Sequence, residues 1–390
     1  MPGTIVLLAA LPWIAFALAV PLLLRWRPRL AENPPPDPHD APLVSIIVPA
    51  RNEAENISAC IATLMNTAYP HREIVVVDDG SVDGTTDIAR ILAARSGGAI
   101  RLVEGAPLPA GWLGKCWACW QGYQVARGDL LLFTDADTRH DDELLGHAVG
   151  AFRHPGVGLV STMPRQLMEG FWERVVLPHI FTMLALRYRD ARRINRTSNP
   201  RQVLANGQFI LMPRAVYDAV GGHSAVRGDV VEDLRLAQRV VANGQRIYLA
   251  HAEDLMDTRM YRSLGAIVEG WSKNLAIGMR GTVAPWLQPA LPWLVGLLTI
   301  AFWTVPPAVL ALSLFAPVGP AVASWALTTC VVSLAFWTYI DARMRVPLLH
   351  AAFFPLGGLI AGGLFLRSAA KGQRIRWKGR SYDLEADAAG

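Results

Sequence analysis

Residues 287–340 run for 54 positions without one Asp, Glu, Lys or Arg, and residues 4–24 do the same for 21. About 20 apolar helical residues cross a hydrocarbon core, so the first run suffices for one crossing and the longer run for at least two. A third stretch, 346–366, is apolar but rich in Gly and Pro, and reads as a further span or a re-entrant hairpin. The whole-chain numbers follow from these segments. With 390 residues, 52% hydrophobic, 18% charged, and a mean hydropathy of +0.27, the chain is too apolar for an ordinary soluble enzyme. The expectation is a multi-pass membrane protein with a soluble middle.

Orientation is read from basic residues. No basic residue precedes the first run, and Arg25-Trp26-Arg27-Pro28-Arg29 follows it without a convincing cleavage site, so the run reads as an anchor. The positive-inside tendency then places residues 25–286 in the cytoplasm. Asp341-Ala342-Arg343-Met344-Arg345 and the tail from Arg367 to Arg380, with six Lys or Arg and no acid, also ask for the cytoplasmic side. Three simple spans cannot satisfy both, which leaves the C-terminal topology open. Net charge is +5 and the pI about 9.2, but the basic residues cluster beside apolar runs, which fits anionic headgroups and argues against nucleic acid. Cys116 and Cys119 form one Cys-x-x-Cys with no second pair at zinc spacing, so they read as small helix residues.

The soluble part begins near residue 41, after the stiff segment Asn33-Pro34-Pro35-Pro36-Asp37-Pro38. Val44-Ser45-Ile46-Ile47-Val48-Pro49 reads as a buried strand, followed by a helix to about Met65. Glu73-Ile74-Val75-Val76-Val77 reads as a second strand running into Asp78-Asp79-Gly80-Ser81, with a helix from about Thr85 to Arg95. Leu130-Leu131-Leu132-Phe133 leads into Asp135-Ala136-Asp137. Strand and helix alternating at this spacing predict a parallel α/β sheet, whose ligands bind at the carboxyl ends of the strands. Glu53, Asp78, Asp79 and Asp135 all fall there. Asp-Asp-Gly-Ser is also the composition of a plain turn. Three successive strand ends presenting carboxylates to one edge, however, concentrate a repulsion that a bound cation or polar ligand relieves. Asp-x-Asp suits a hard cation such as Mn²⁺ or Mg²⁺, whose remaining positions take phosphate oxygens.

The series Val48-Pro49-Ala50-Arg51-Asn52-Glu53, Val77-Asp78-Asp79-Gly80-Ser81 with Asp83-Gly84-Thr85, Asp135-Ala136-Asp137, and Glu232-Asp233 resembles family 2 glycosyltransferases of the GT-A fold. The resemblance covers residues 41 to about 262. It implies a Rossmann-like α/β domain with a mainly parallel sheet and an inverting transfer from a nucleotide-diphosphate sugar, most commonly a UDP-sugar, with Mn²⁺ or Mg²⁺. By motif, Pro49, Glu53 and Asp79 would line the nucleoside pocket, Asp79 accepting from the base. Asp135 would contact the ribose or sugar, and Asp137 would ligate the metal on the diphosphate. Lys115, in Gly111-Trp112-Leu113-Gly114-Lys115, falls where the family often has Gly-Lys and would neutralise phosphate charge. Asp233 would be the general base for the acceptor hydroxyl, beside Glu232.

On the acceptor side, Phe171 to Arg196 pairs an apolar stretch with a later burst of five arginines, from Arg187 to Arg196, and reads either as a headgroup-level helix or as a core helix and a basic loop. Asn206-Gly207 opens an apparent strand. Arg259-Met260-Tyr261-Arg262-Ser263 keeps an Arg where many membrane-bound members carry Gln-x-x-Arg-Trp, so a processive synthase is not expected, while Arg262 could clamp the diphosphate. Residues 263–286 read as an interfacial amphipathic helix. Together with Trp377-Lys378-Gly379-Arg380-Ser381-Tyr382, these elements resemble bacterial glycosyltransferases associated with carotenoid or hopanoid lipids. The expected layout is an anchor and linker at 1–40, a cytoplasmic catalytic domain at 41–262, the interfacial helix at 263–286, a transmembrane region at 287–366 and a basic cytoplasmic tail at 367–390. The expected partners are a nucleotide-sugar donor, an isoprenoid-type membrane lipid and a bacterial inner membrane. Transfer to polyprenyl phosphate and a non-catalytic scaffold are the competing readings.

Overall fold

A computed structural model describes residues 2–23, 27–188, 191–280, 282–371, 374–377 and 380–383. Arg25, Trp26, Arg189, Lys378 and Gly379, singled out above, lie outside the described residues. The chain divides into two compact units. One comprises residues 1–26, 168–190 and 261–372; the other comprises 27–167, 191–260 and 373–390.

The second unit is built on twelve strands among the described residues. The first four are β1 (Val44–Ala50), β2 (Arg72–Asp78), β3 (Ile100–Glu104) and β4 (Leu130–Thr134). Then come β5 (Thr138–His140), β6 (Val157–Met163), β7 (Arg165–Gln166) and β8 (Phe209–Pro213). The last are β9 (Arg246–His251), β10 (Met256–Thr258), β11 (Arg374–Trp377) and β12 (Arg380–Asp383). Seven of them form one sheet in the order β3-β2-β1-β4-β8-β6-β9. Only β8 runs against its neighbours; the remaining pairs are parallel. The β-branched and leucine runs explain this, because a parallel sheet is covered on both faces and needs apolar residues at every position. Val44, Ile46, Ile47, Val48, Leu131 and Leu132 are all fully buried, each contributing about 1.5–3 kcal/mol by leaving water.

The order places β1 between β2 and β4, so the chain reverses its direction of sheet growth at β1. A crevice opens at the carboxyl ends of strands on either side of such a reversal, which is where α/β sheets bind ligands. A small sheet, β5-β10-β7, stands beside the main one. The proline-rich segment, expected as a stiff linker, is docked on this unit. His147 Nδ1 lies 2.7 Å from the Asn33 carbonyl, Arg153 donates to the carbonyls of Pro34 and Pro35, and Leu30 is fully buried. A polyproline strand has no internal backbone bonds, so its free carbonyls are available to such donors.

The other unit is helical. Among the described residues four helices are long and apolar enough to cross a membrane: Val6–Leu23, Leu291–Leu312, Pro320–Arg343 and Leu348–Lys371. Leu7, Leu18, Leu294, Leu297 and Leu298 are exposed on them, as lipid-facing side chains are. Helices Leu291–Leu312 and Phe354–Lys371 approach closely, for a Cβ on Gly362 would come 2.7 Å from the Gly296 carbonyl oxygen. The helix Phe171–Arg187 buries Val175, Val176, Leu177 and Ile180 against Ile267, Trp271 and Leu275 of helix Leu264–Arg280 and against Leu364 and Phe365. The apolar residues read as headgroup-facing therefore form a core between helices, the second of the two readings above.

Candidate active site

The donor edge is assembled from two strand-end loops stitched together. Pro49 and Ala50 at the end of β1 pair with Val77 and Asp78 of β2, and the Asp79 N–H donates to the Ala50 carbonyl at 2.8 Å. Beyond the strands, Asn52 N–H donates to Ser81 Oγ, Glu53 N–H to Thr85 Oγ1, and Ala54 N–H to Asp83 Oδ2. Asn52 sits at φ 53°, a left-handed conformation that Asn tolerates. Glu53 Oε2 accepts from Asn56 Nδ2 at 2.8 Å. Asp78 holds the turn, its Oδ2 accepting from Ser81 N–H and Thr86 Oγ1. Asp79, 3% exposed, forms an ion pair with Arg380, while Arg51 donates to the carbonyls of Asp79 and Gly80. Burial raises the Asp79 carboxyl above its usual range, although Arg380 and Arg51 pull the other way.

The second cluster lies where β4, the helix Gly114–Val125 and the helix Glu232–Ala242 converge. Lys115 Nζ is 2.7 Å from Asp135 Oδ1 and 2.9 Å from Glu232 Oε1. Asp233 Oδ2 accepts from Gly207 N–H at 2.8 Å and its Oδ1 from its neighbour's N–H, that of Leu234, at 2.7 Å. A Cβ on Gly207 would stand 3.0 Å from Lys115 Nζ and 3.2 Å from Asp233 Oδ2, so the glycine lets the backbone N–H reach the carboxylate. Asn206 frames this loop, with Nδ2 donating to the Thr162 carbonyl and to Gln208 Oε1.

Charge sets the chemistry of the cluster. Burial would depress the Lys115 ammonium, but Asp135 and Glu232 hold it well above the usual range, so it stays charged. Burial would also raise Glu232, yet the Lys115 charge and hydrogen bond outweigh it and leave that carboxyl below its ordinary value. Asp233 has no cation to itself. Burial and the adjacent Glu232 charge raise it to about 6, against the opposing pull of Lys115 and the two backbone N–H groups. A carboxylate poised there accepts a proton near neutral pH.

For a cation, Asp137 follows β4 in the turn that leads into β5, and β5 pairs with β10 so that Asp257 stands opposite Arg139. One oxygen of each acid, Asp137 Oδ1 and Asp257 Oδ1, is buried and accepts no hydrogen bond. Asp257 Oδ2 pairs with Arg165 at 2.8 Å. Among the described residues no three His, Cys, Asp or Glu side chains gather into a complete ligand set. That fits Mg²⁺ or Mn²⁺ carried by one or two carboxylates and completed by substrate phosphates.

Of the residues picked from sequence, Lys115, Asp135, Glu232 and Asp233 are brought together, and Pro49, Glu53 and Asp79 share the β1–β2 edge. Lys115 is engaged by two carboxylates, a partnership the phosphate-neutralising expectation did not include. Arg262 belongs to the helical unit. Sequence reading missed Arg380, Asp257 and the role of Gly207. Arg51 and Arg380 lay inside quoted motifs and carried a signal, whereas Asp257 had none.

Comparison with known proteins bears on the fold and the class of enzyme. A "4,4'-diaponeurosporenoate glycosyltransferase" of Staphylococcus aureus (strain MRSA252) is 24% identical over 352 residues, covering 88% of this chain and 89% of that protein. The protein of the same name from Staphylococcus haemolyticus is 26% identical over 262 residues, 66% of this chain and 67% of its own. Among solved structures, the mannosyltransferase PcManGT from Pyrobaculum calidifontis, in complex with GDP-Man and Mn²⁺, superposes with a TM-score of 0.56 at 20% identity, covering 95% of this chain and 98% of that one, and shares the fold. The chain is a glycosyltransferase of the GT-A fold read above. The profile of glycosyl transferase family 21, whose fold is like that of family 2, matches residues 6–389, and the chain belongs to that family.

Proposed function

We propose that the protein transfers one sugar, with inversion, from a nucleotide-diphosphate sugar to a hydroxyl of a membrane lipid. The observation that carries this reading is Asp233, fixed at both oxygens by backbone N–H groups and raised to about 6 beside the ionised Glu232. In the reaction the acceptor oxygen attacks the anomeric carbon, Asp233 takes the hydroxyl proton, and the bond from that carbon to the diphosphate breaks. One displacement with one base inverts the centre, and no covalent nucleophile is needed. Asp79 accepts from the base, with Pro49 and Glu53 lining the nucleoside, and Asp135 meets the ribose or sugar. A divalent cation held by Asp137, and by Asp257 as a second carboxylate, would offset the charge of the leaving diphosphate. Lys115 keeps Asp135 and Glu232 in register.

The donor we favour, by the motif resemblance, is a UDP-sugar; the acceptor we favour is an isoprenoid-type lipid, the class of the diaponeurosporenoate in the relatives' names. Four apolar helices hold the chain where such a lipid resides. We assign the catalytic unit to the cytoplasmic face of the inner membrane. By the positive-inside tendency residues 25–286 and the basic tail from Arg367 to Arg380 share that face, which requires an even number of crossings from 287 to 366. Three qualifying helices lie between. The Gly-rich segment Leu348–Lys371 is therefore assigned as re-entrant.

The test is turnover of purified protein in lipid, with UDP- and GDP-sugars, total bacterial lipid, and Mn²⁺ or EDTA, read by mass spectrometry. A metal-dependent lipid heavier by one sugar is expected. Turnover that survives Asp233→Asn would point instead to an acceptor that is already anionic, such as a polyprenyl phosphate.

A further inference from the structure

The final described strands return to the donor edge of the sheet. β11 and β12 pair antiparallel from Arg374 with Asp383 to Trp377 with Arg380. Arg380, 24% exposed, directs Nη1 to Asp79 Oδ2 and Nη2 to the Asp79 carbonyl at 3.4 Å, across 301 residues of sequence. Arg51 reaches the same corner, at the Asp79 and Gly80 carbonyls. A Cβ on Gly80 would lie 3.5 Å from Arg51 Nη1 and 3.9 Å from Arg380 Nη2, so both guanidiniums close over this turn.

We propose that Arg380 is a stand-in for the nucleotide. In the donor-free protein its guanidinium occupies the Asp79 carboxylate that the base takes when the donor binds, so that donor binding and release of the β11–β12 hairpin are one exchange. The inference rests on the reading of Asp79 as the acceptor for the base. A guanidinium and the polar edge of a base are both planar sources of N–H donors, and they compete for the same carboxylate. A carboxylate this buried is costly to leave uncompensated, so the arginine leaves as the base arrives. The hairpin follows the last apolar helix directly in sequence, so the segment after that helix reports donor occupancy.

The test uses the full chain in lipid nanodiscs with UDP and GDP as probes in Mn²⁺. Binding is titrated calorimetrically to wild type, Asp79→Asn, Arg380→Ala and Arg380→Lys, and hydrogen exchange is followed in residues 374–377 and 380–383. Arg380→Ala is expected to bind the nucleotide about tenfold tighter, as when a competitor holds the site nine-tenths of the time, with Arg380→Lys between. Hairpin exchange in the wild type rises on adding nucleotide. Unchanged or weaker binding by Arg380→Ala, or hairpin exchange that stays level or falls, overturns the exchange and makes Arg380 a structural staple or a donor ligand. If Asp79→Asn binds as well as wild type, or wild type binds neither probe, the base-pocket reading fails; if Asp79→Asn alone weakens binding, only the exchange fails.

Discussion

Asp79 and Asp233 are both carboxylates drawn out of water in the same catalytic unit, yet their surroundings are opposite. Asp79 meets two guanidiniums, one of them in a direct ion pair. Asp233 stands beside a like charge, with the one nearby ammonium committed to Asp135 and Glu232. Burial raises both carboxyls; at Asp79 the Arg380 and Arg51 charges oppose it more than the neighbouring Asp78 adds to it, whereas at Asp233 the Glu232 charge adds to burial and the value reaches about 6. The difference separates two tasks. A carboxylate whose charge is matched by arginines can trade one cationic donor for another donor. One whose charge is unmatched is ready to take a proton.

The largest effect is expected at Asp233. Asp233→Asn removes the proton acceptor with little change in shape, so kcat should fall by about 10²-fold or more while donor affinity holds. A matching loss of donor binding, measured by calorimetry, would merge the two tasks and break the comparison. Asp79→Asn should do the reverse. Losing a charged acceptor is worth about 1.5 kcal/mol, so the donor KM should rise roughly tenfold with kcat nearly constant.

The pH profile sharpens the contrast further. Asp233 works as the carboxylate, so the rate should climb with pH through about 6 and level off above it. Lys115→Met takes away a positive neighbour, which stabilises the protonated form of both Glu232 and Asp233, and the acid limb should move up by about one pH unit. Glu232→Gln takes away the negative neighbour and should move the limb below 6. Profiles of kcat from pH 5 to 9 measure both, and a limb that stays put in both variants would detach the rate from Asp233. Gly207→Ala should have the smallest effect. Its methyl crowds only the ends of Lys115 and Asp233, which give by tenths of an ångström, so a loss of roughly threefold in kcat is expected.

Much of the fold was legible because its signals are local. The strand expected at Val44–Pro49 is β1, Val44–Ala50; the helix expected from Thr85 to Arg95 is observed there; and the run after Gly207 is β8. Each depends on a run of side chains with one period, which sequence displays directly. The candidate site was legible as a set of acids at strand ends, but its pairings were not. For Lys115 the resemblance supplied a phosphate role but not its two carboxylate neighbours. Its partners, 20 and 117 positions further along, are brought beside it by the folding of β4 and of the helix that begins at Glu232. The docking of the proline-rich linker was not legible for a related reason. Composition reports stiffness, not the donors from His147 and Arg153 that bind its carbonyls.

The sequence by itself determined the apolar runs, the α/β alternation and the acids that end β1, β2 and β4, because length, period and residue type act over a few neighbouring positions. Only the tertiary structure decided which carboxylate faces a guanidinium and which faces another acid. Electrostatic energy depends on distance and burial, and both are fixed when Arg380 closes on Asp79 from 301 residues away and Gly207 closes on Asp233.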